Sequence, residues 1–151
     1  MPKVVVASDA PWVSDQVKAA LVSPGFEVIV VDRGQDVRDV VGKVHPDLVI
    51  VDLQIGNMGG MAVSIDLRLE ESADRLPHVP VLLLLDREAD RFLARSAQAD
   101  AVLVKPFDPG TLRRVVKQLI AAEEARRSAE EEADEASEIE GDEPVEEPAP
   151  A

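Results

Sequence analysis

The chain has no cysteine and no tyrosine, and aromatic residues make up only 3% of it. Without cysteine there is neither a disulfide framework nor a thiolate metal site. The two histidines, His45 and His78, each lie beside a proline in expected loops, with no second histidine near either in sequence, so a zinc site is not expected. Apolar stretches are short: the longest, Val79 to Leu85, contains a proline and has strand length, far from the roughly 20 residues that cross a bilayer. No charged leader or cleavage pattern precedes the first apolar run, so no signal peptide is expected. The protein is expected to be cytoplasmic, reaching the inner face of the cell membrane only through a partner, without direct membrane insertion. Glycine-rich phosphate cradles are also missing. Gly56, Gly59 and Gly60 follow an apolar run, but no Gly-x-Gly-x-x-Gly or Gly-Lys-Ser/Thr pattern is present. No Ser-His-Asp set can be assembled, since neither histidine falls at a strand end. No enzyme is expected, and no catalytic residue is assigned.

What the chain has is aliphatic bulk and acid. Hydrophobic residues reach 46% of 151, enough for one core. The net charge of -14 is uneven: from Glu123 onward 13 acids face 2 arginines, whereas residues 1–122 hold 17 acids and 14 bases. Acidity therefore belongs to the C-terminal segment, and no basic stripe of the kind DNA binding needs is present, so no nucleic-acid partner is expected.

Five apolar runs recur with helical segments between them: Val4 to Ala7, Glu27 to Val31, Leu48 to Val51, Val81 to Leu85 and Ala101 to Val104. They are nearly continuous rather than alternating, which suits strands covered on both faces. Periodicity alone leaves the last two open to a helical reading; their length and flanking prolines favour strands. Helices are expected from Pro11 to Pro24-Gly25, Asp36 to Val44, Met61 to about Ala73, Glu88 to Ala97, and from Asp108 or Thr111 through Ile120. This alternation predicts an α/β fold, a (βα)5 doubly wound parallel five-stranded sheet of order 2-1-3-4-5. The domain is expected to span residues 1–122. Residues 123–151 are read as an acidic tail, helical at first and then, from Glu138, unable to keep a helix. Its plain reading is a solubilising extension, and its sharper one is docking to a basic surface.

In such a sheet functional groups gather at the C-terminal ends of strands. Asp9 follows the first strand, Asp52 the third and Lys105 the fifth, so the order 2-1-3-4-5 collects them at one edge. Two close carboxylates repel unless a divalent cation sits between them, and a lysine opposite steadies added negative charge. Together these describe a magnesium-assisted acyl-phosphate site. The plain alternatives are that Asp9 caps the helix starting at Pro11, and that Lys105-Pro106 makes a turn. Asp52 is harder to explain that way, because a carboxylate after an apolar strand is costly unless paired or exposed.

Ser8-Asp9-Ala10-Pro11, the run from Pro46 through Asp52 to Leu53, and Lys105-Pro106-Phe107 resemble the signatures of bacterial response-regulator receiver domains, the CheY-like fold. Gly25-Phe26-Glu27-Val28 and Met58-Gly59-Gly60 also fall where that family has them. The resemblance implies that Asp52 is the phosphoacceptor, that Asp9, Asp52 and the Gln54 carbonyl hold Mg2+, and that Lys105 pairs with the phosphoryl group. It also exposes departures. Ser8 replaces the first acid of an acidic pair, Leu85 stands where a Thr or Ser hydroxyl belongs, and Val102 replaces a switch aromatic. Gly56 occupies a usual proline position, and the stretch from Leu85 to Lys105 is shortened. Phosphorylation is thus expected to be chemically feasible while its conversion into a two-state movement is weakened.

Two functions follow. One is a single-domain phosphorelay component that takes a phosphoryl group from a histidine kinase onto Asp52. The other, preferred on the departures and on the lack of an output domain after the last helix, is a receiver-derived interaction module. The whole chain is also similar to orphan receiver-like proteins associated with the proton-pumping NADH:quinone oxidoreductase (complex I) of high-GC bacteria, which implies an accessory subunit of a large complex. The partner face is then expected at the fourth helix, fifth strand and fifth helix, with Arg87, Arg91, Arg95, Arg113 and Arg114 on or near it. Trp12, the one tryptophan, is either a contact residue or packs locally.

Overall fold

A computed structural model of the chain describes residues 1–23 and 25–141. Five strands form one sheet: β1 (Lys3–Ala7), β2 (Glu27–Val31), β3 (Leu48–Asp52), β4 (Val81–Leu85) and β5 (Ala101–Val104). All neighbours are parallel and the order is β2-β1-β3-β4-β5, as the alternation predicts. Parallel strands need crossovers, and these are the helices α1 (Pro11–Leu21), α2 (Val37–Val44), α3 (Gly60–Ser72) and α4 (Arg91–Ser96), followed by α5 (Pro109–Gly141).

Side chains alternate across the sheet and so divide the core in two. Val4, Val6, Leu48, Ile50, Leu82 and Leu84 face α1 and α5, where Val13, Val17, Leu21, Leu112 and Val116 meet them. Val5, Ala7, Val49, Val51, Leu83 and Leu85 face the other layer, packing with Val37, Val41, Val63, Leu67, Ala94 and Ala97. Every residue of β3 and β4 is buried, which is why those strands read as unbroken apolar runs. Among the described residues no buried side-chain polar atom lacks a partner, and no helix is long and apolar enough to cross a membrane.

Element ends differ from expectation for local reasons. The second and fourth helices open with single 3-10 turns at Gly34–Asp36 and Glu88–Asp90 before the α-helix proper. α1 ends at Leu21, ahead of the expected Pro24-Gly25, and Gly25 takes a φ of +92°, the left-handed region that glycine enters at little cost. Asp9 does not cap α1. The N-cap is Ala10, with no side-chain cap, and the Pro at N1 removes one of the amides that would need a partner. The α5 helix continues to Gly141, past Glu138 where a break was expected. Glu-Ile-Glu carries no helix breaker, and the first proline beyond it is Pro144. The expected disorder of the last ten residues lies outside the described residues.

Glu123, on the tail side of the expected boundary, is buried. His78 lies between α3 and α5 there, with Nδ1 2.7 Å from Glu71 Oε1 and Nε2 3.4 Å from Glu123 Oε2. Arg126 and Arg127 also pair with Glu123, which ties the root of the long helix to the domain.

Candidate functional site

Strand register assembles the site. Ala7 pairs with Val51, so Ser8 emerges beside Asp52; Leu85 pairs with Val104, so Asp86 emerges beside Lys105. β3 lies between β1 and β4, which places Asp52 in the middle of the C-terminal edge. The backbone then turns sharply into α3. A Cβ on Gly60 would lie 2.5 Å from the Asp52 carbonyl oxygen and 2.7 Å from the Leu53 Cα, so only glycine lets α3 start this close to the acid.

The Asp52 carboxylate is buried and fully engaged. Its Oδ1 accepts from Lys105 Nζ at 2.7 Å and from the Gln54 amide at 3.1 Å, and its Oδ2 accepts from the Ser8 hydroxyl at 3.0 Å. Ser8 Oγ in turn accepts from the Ala10 amide at 3.2 Å, which fixes the hydroxyl proton on Asp52. Only 3% of the Asp52 side chain and 7% of the Lys105 side chain reach solvent, so the two charges meet largely desolvated. Such a pair depends on its extra hydrogen bonds to offset desolvation, and here Ser8 and Gln54 supply them. Lys105, joined to Pro106 by a cis peptide, also donates to Asp86 Oδ1 at 3.1 Å. Its Nζ lies 5.6 Å from the centre of the Trp12 ring, which is half-exposed above it.

Asp9, at the same edge, takes its hydrogen bond from a different group. Its Oδ2 accepts the Gly56 amide at 3.0 Å. Sequence reasoning missed this contact because a backbone N–H has no residue signature, although the glycine at a usual proline position pointed to it. A proline there would have no N–H to give, and a Cβ would sit 2.8 Å from the same oxygen. Asp86 belongs to none of the motifs quoted from the sequence. Its place one residue past β4, across from Lys105 in the next strand, was the available signal.

The switch positions are filled by packing. Leu85 is fully buried and belongs to the core layer with Ala94 and Ala97. Val102 is partly buried on β5 against that layer. Of the five arginines, three make contacts within the chain. Arg87 pairs with Asp90 at 3.0 Å, Arg91 pairs with Glu88, and Arg113 reaches the Ala20 carbonyl of α1 at 3.5 Å. Arg95 and Arg114 are exposed.

The donors that line the site are oxygens, the hard ligands magnesium takes, and magnesium commonly uses one or two carboxylates with several waters. Asp9, Asp52 and the Gln54 carbonyl fit that chemistry. No group of three or more His, Asp or Glu side chains suited to a metal occurs among the described residues.

A buried acid flanked by a hydroxyl, a backbone amide and a strand-end lysine, on a 2-1-3-4-5 parallel sheet, defines a receiver. Residues 4–117 match the response regulator receiver domain family, and the chain belongs to it. It is 32% identical over 110 residues to the DNA-binding dual master transcriptional regulator RpaA of Synechocystis, an alignment covering 72% of this chain and 44% of that one. Among solved structures, the chemotaxis response regulator CheY4 of Vibrio cholerae superposes with a TM-score of 0.70 at 24% identity, over 79% of this chain and 98% of that one. The receiver domain of a Pseudomonas aeruginosa sensor histidine kinase, with a magnesium ion coordinated in its active-site cleft, gives 0.70 at 23% over 80% and 98%. The chain spans about half the length of the curated relatives it matches.

Proposed function

We propose that this receiver accepts a phosphoryl group on Asp52 from the phosphohistidine of a histidine kinase. The observation that carries the reading is the buried contact of 2.7 Å between Lys105 Nζ and Asp52 Oδ1 at the end of the central strand. The curated relatives, named as response and transcriptional regulators, support this role over the static interaction module that the sequence departures favour.

In the transfer, an Asp52 carboxylate oxygen forms a bond to phosphorus while the bond from phosphorus to the imidazole nitrogen breaks. The nitrogen keeps the electron pair. Ser8 and the Gln54 amide hold the carboxylate in one orientation, which lowers the entropic part of the barrier. The Lys105 ammonium is held beside Asp52, where it can meet charge developing on the phosphoryl oxygens. Asp9, Asp52 and the Gln54 carbonyl would hold magnesium, which when bound supplies further positive charge against those oxygens.

The test is incubation of the full chain with acetyl phosphate and magnesium, followed by phosphate-affinity electrophoresis. The wild type is expected to shift and Asp52→Asn to remain unshifted. A wild type that takes up no phosphoryl group overturns the reading.

Full burial of Leu85, where a hydroxyl would otherwise meet the phosphoryl group, favours a second reading for the output. With no contact that distinguishes the two phosphorylation states, the fold serves as a constant binding surface. In that reading the chain is an accessory subunit of a larger assembly, for which the respiratory NADH:quinone oxidoreductase is proposed on resemblance. Recovery of one assembly on affinity purification, unchanged by Asp52→Ala and weakened by Arg91→Glu with Arg95→Glu, supports it; recovery of a histidine kinase alone sinks it. No nucleic-acid contact is proposed, because the DNA binding in the relatives' names belongs to proteins about twice as long.

A further inference from the structure

Lys105 serves two carboxylates. Its Nζ donates to Asp52 Oδ1 at 2.7 Å and to Asp86 Oδ1 at 3.1 Å, and the Trp12 ring covers it at 5.6 Å. An ammonium has three N–H groups, so two of them are committed to aspartates. The two contacts also place the Asp86 oxygen within about 6 Å of the Asp52 oxygen, a range where like charges repel appreciably near a protein surface. The acids at this edge are Asp9, Asp52 and Asp86, and Lys105 is the cation bonded among them. Conversion of Asp52 to its phosphoryl form replaces one negative charge with roughly 1.5 to 2.

Solvent access separates the two aspartates. Asp52 is 3% exposed at the side chain and held by Ser8 and Gln54, whereas Asp86 is 41% exposed and makes its contact from the rim. An incoming phosphoryl oxygen would therefore displace Asp86 from Lys105, not Asp52.

We propose that Asp86 is a positioning residue that competes with the phosphoryl group for Lys105 and keeps phosphorylation of Asp52 slow and sparse. This inference rests on Asp52 being the phosphoacceptor. With acetyl phosphate as donor, the bond from phosphorus to an Asp52 oxygen forms as the bond from phosphorus to the acetate oxygen breaks, and acetate leaves with the electron pair. Asp86 opposes the step twice: it repels the anionic donor, and it holds the ammonium that would meet the phosphoryl oxygens. Removing the Lys105 contact from Asp86 needs no rearrangement of the core, because Asp86 lies beyond the end of β4.

The experiment follows the initial rate and steady fraction of phosphorylation in the full chain with acetyl phosphate and magnesium, for wild type, Asp86→Asn, Asp86→Glu and Asp52→Asn. Asp86→Asn keeps the size and an acceptor oxygen but loses the charge. It is expected to accept phosphoryl groups on the order of tenfold faster at low ionic strength, with the gap narrowing as salt screens the rim charge. Asp86→Glu, which keeps the charge, is expected to behave like the wild type. If the wild type is phosphorylated and Asp86→Asn is no faster, or Asp86→Glu is as fast as Asp86→Asn, the proposal fails while the phosphoacceptor reading stands. If neither wild type nor Asp86→Asn is phosphorylated, the phosphoacceptor reading fails and takes this one with it.

Discussion

Replacing Lys105 with methionine leaves a carboxylate in the protein interior without its cation. Methionine approximates the lysine stem, so packing near Trp12 is kept and the loss is electrostatic. Breaking a buried ion pair from one side costs about 3–5 kcal/mol when the remaining charge has nothing else. Asp52 retains the Ser8 hydroxyl and the Gln54 amide, so the expected cost is lower, about 2–3 kcal/mol. Asp52→Asn is expected to cost only about 1 kcal/mol, because asparagine still accepts from Lys105 and Lys105 still holds the half-exposed Asp86. The double variant should fall short of the sum by about 1–2 kcal/mol, since it leaves neither charge stranded. Urea unfolding with a shared m-value measures all four proteins, and Lys105→Met should lower Tm by about 5–10 °C at this chain length. Equal costs for the two single variants, or strict additivity in the double, would show that the pair is solvated and that the burial argument is wrong.

Three further outcomes are expected. Gly60→Ala should destabilise the fold by about 1–3 kcal/mol, because its Cβ meets backbone atoms of Asp52 and Leu53 that cannot move aside, as denaturant titration will read. Leu85→Thr, which supplies the hydroxyl found elsewhere in the family, should cost about 2–4 kcal/mol by leaving a cavity beside Ala94 and Ala97; a neutral result would mean that the socket is open. Burial raises the Glu123 carboxyl, but the Arg126 hydrogen bonds and the charges of His78 and Arg126 outweigh it and hold the group below its usual 4.5. A carboxyl with a depressed folded-state pKa contributes stability above its usual 4.5 and loses it as pH falls through the lower folded value, so the advantage of wild type over Glu123→Gln should be full above 4.5 and shrink progressively as pH is lowered below it.

Continuous apolar runs made the strands legible, and β2, β4 and β5 coincide with their expected bounds although only β4 is buried throughout, while the edge strands β2 and β5 are partly exposed. The pairing of Asp52 with Lys105 was legible too, since sheet order alone brings the ends of β3 and β5 to one edge. Asp9 was not. Its partner is the Gly56 amide rather than the start of α1 or another carboxylate, and a loop's backbone direction is invisible in the residue string. Nor was the role of Glu123 legible, because His78 reaches it from a loop 45 positions earlier in the chain. The length of α5 was underestimated because beyond Glu123 the helix is polar and without a buried face, so it carries no periodic signal, even where helix formers and i,i+4 pairs sustain it.

The long α5 also makes the molecule an electric lever. Residues 123–141 carry nine acids against two arginines and extend about 28 Å along the helix axis, while residues 1–122 are close to neutral. The centre of charge is therefore displaced from the centre of mass. In an external field from a charged surface such a body turns before it docks, with the helical arm drawn toward positive charge and the Asp52 edge carried round with it. At physiological salt the Debye length is about 8 Å, shorter than the arm, so the outer turns sense a surface that the folded domain does not yet feel.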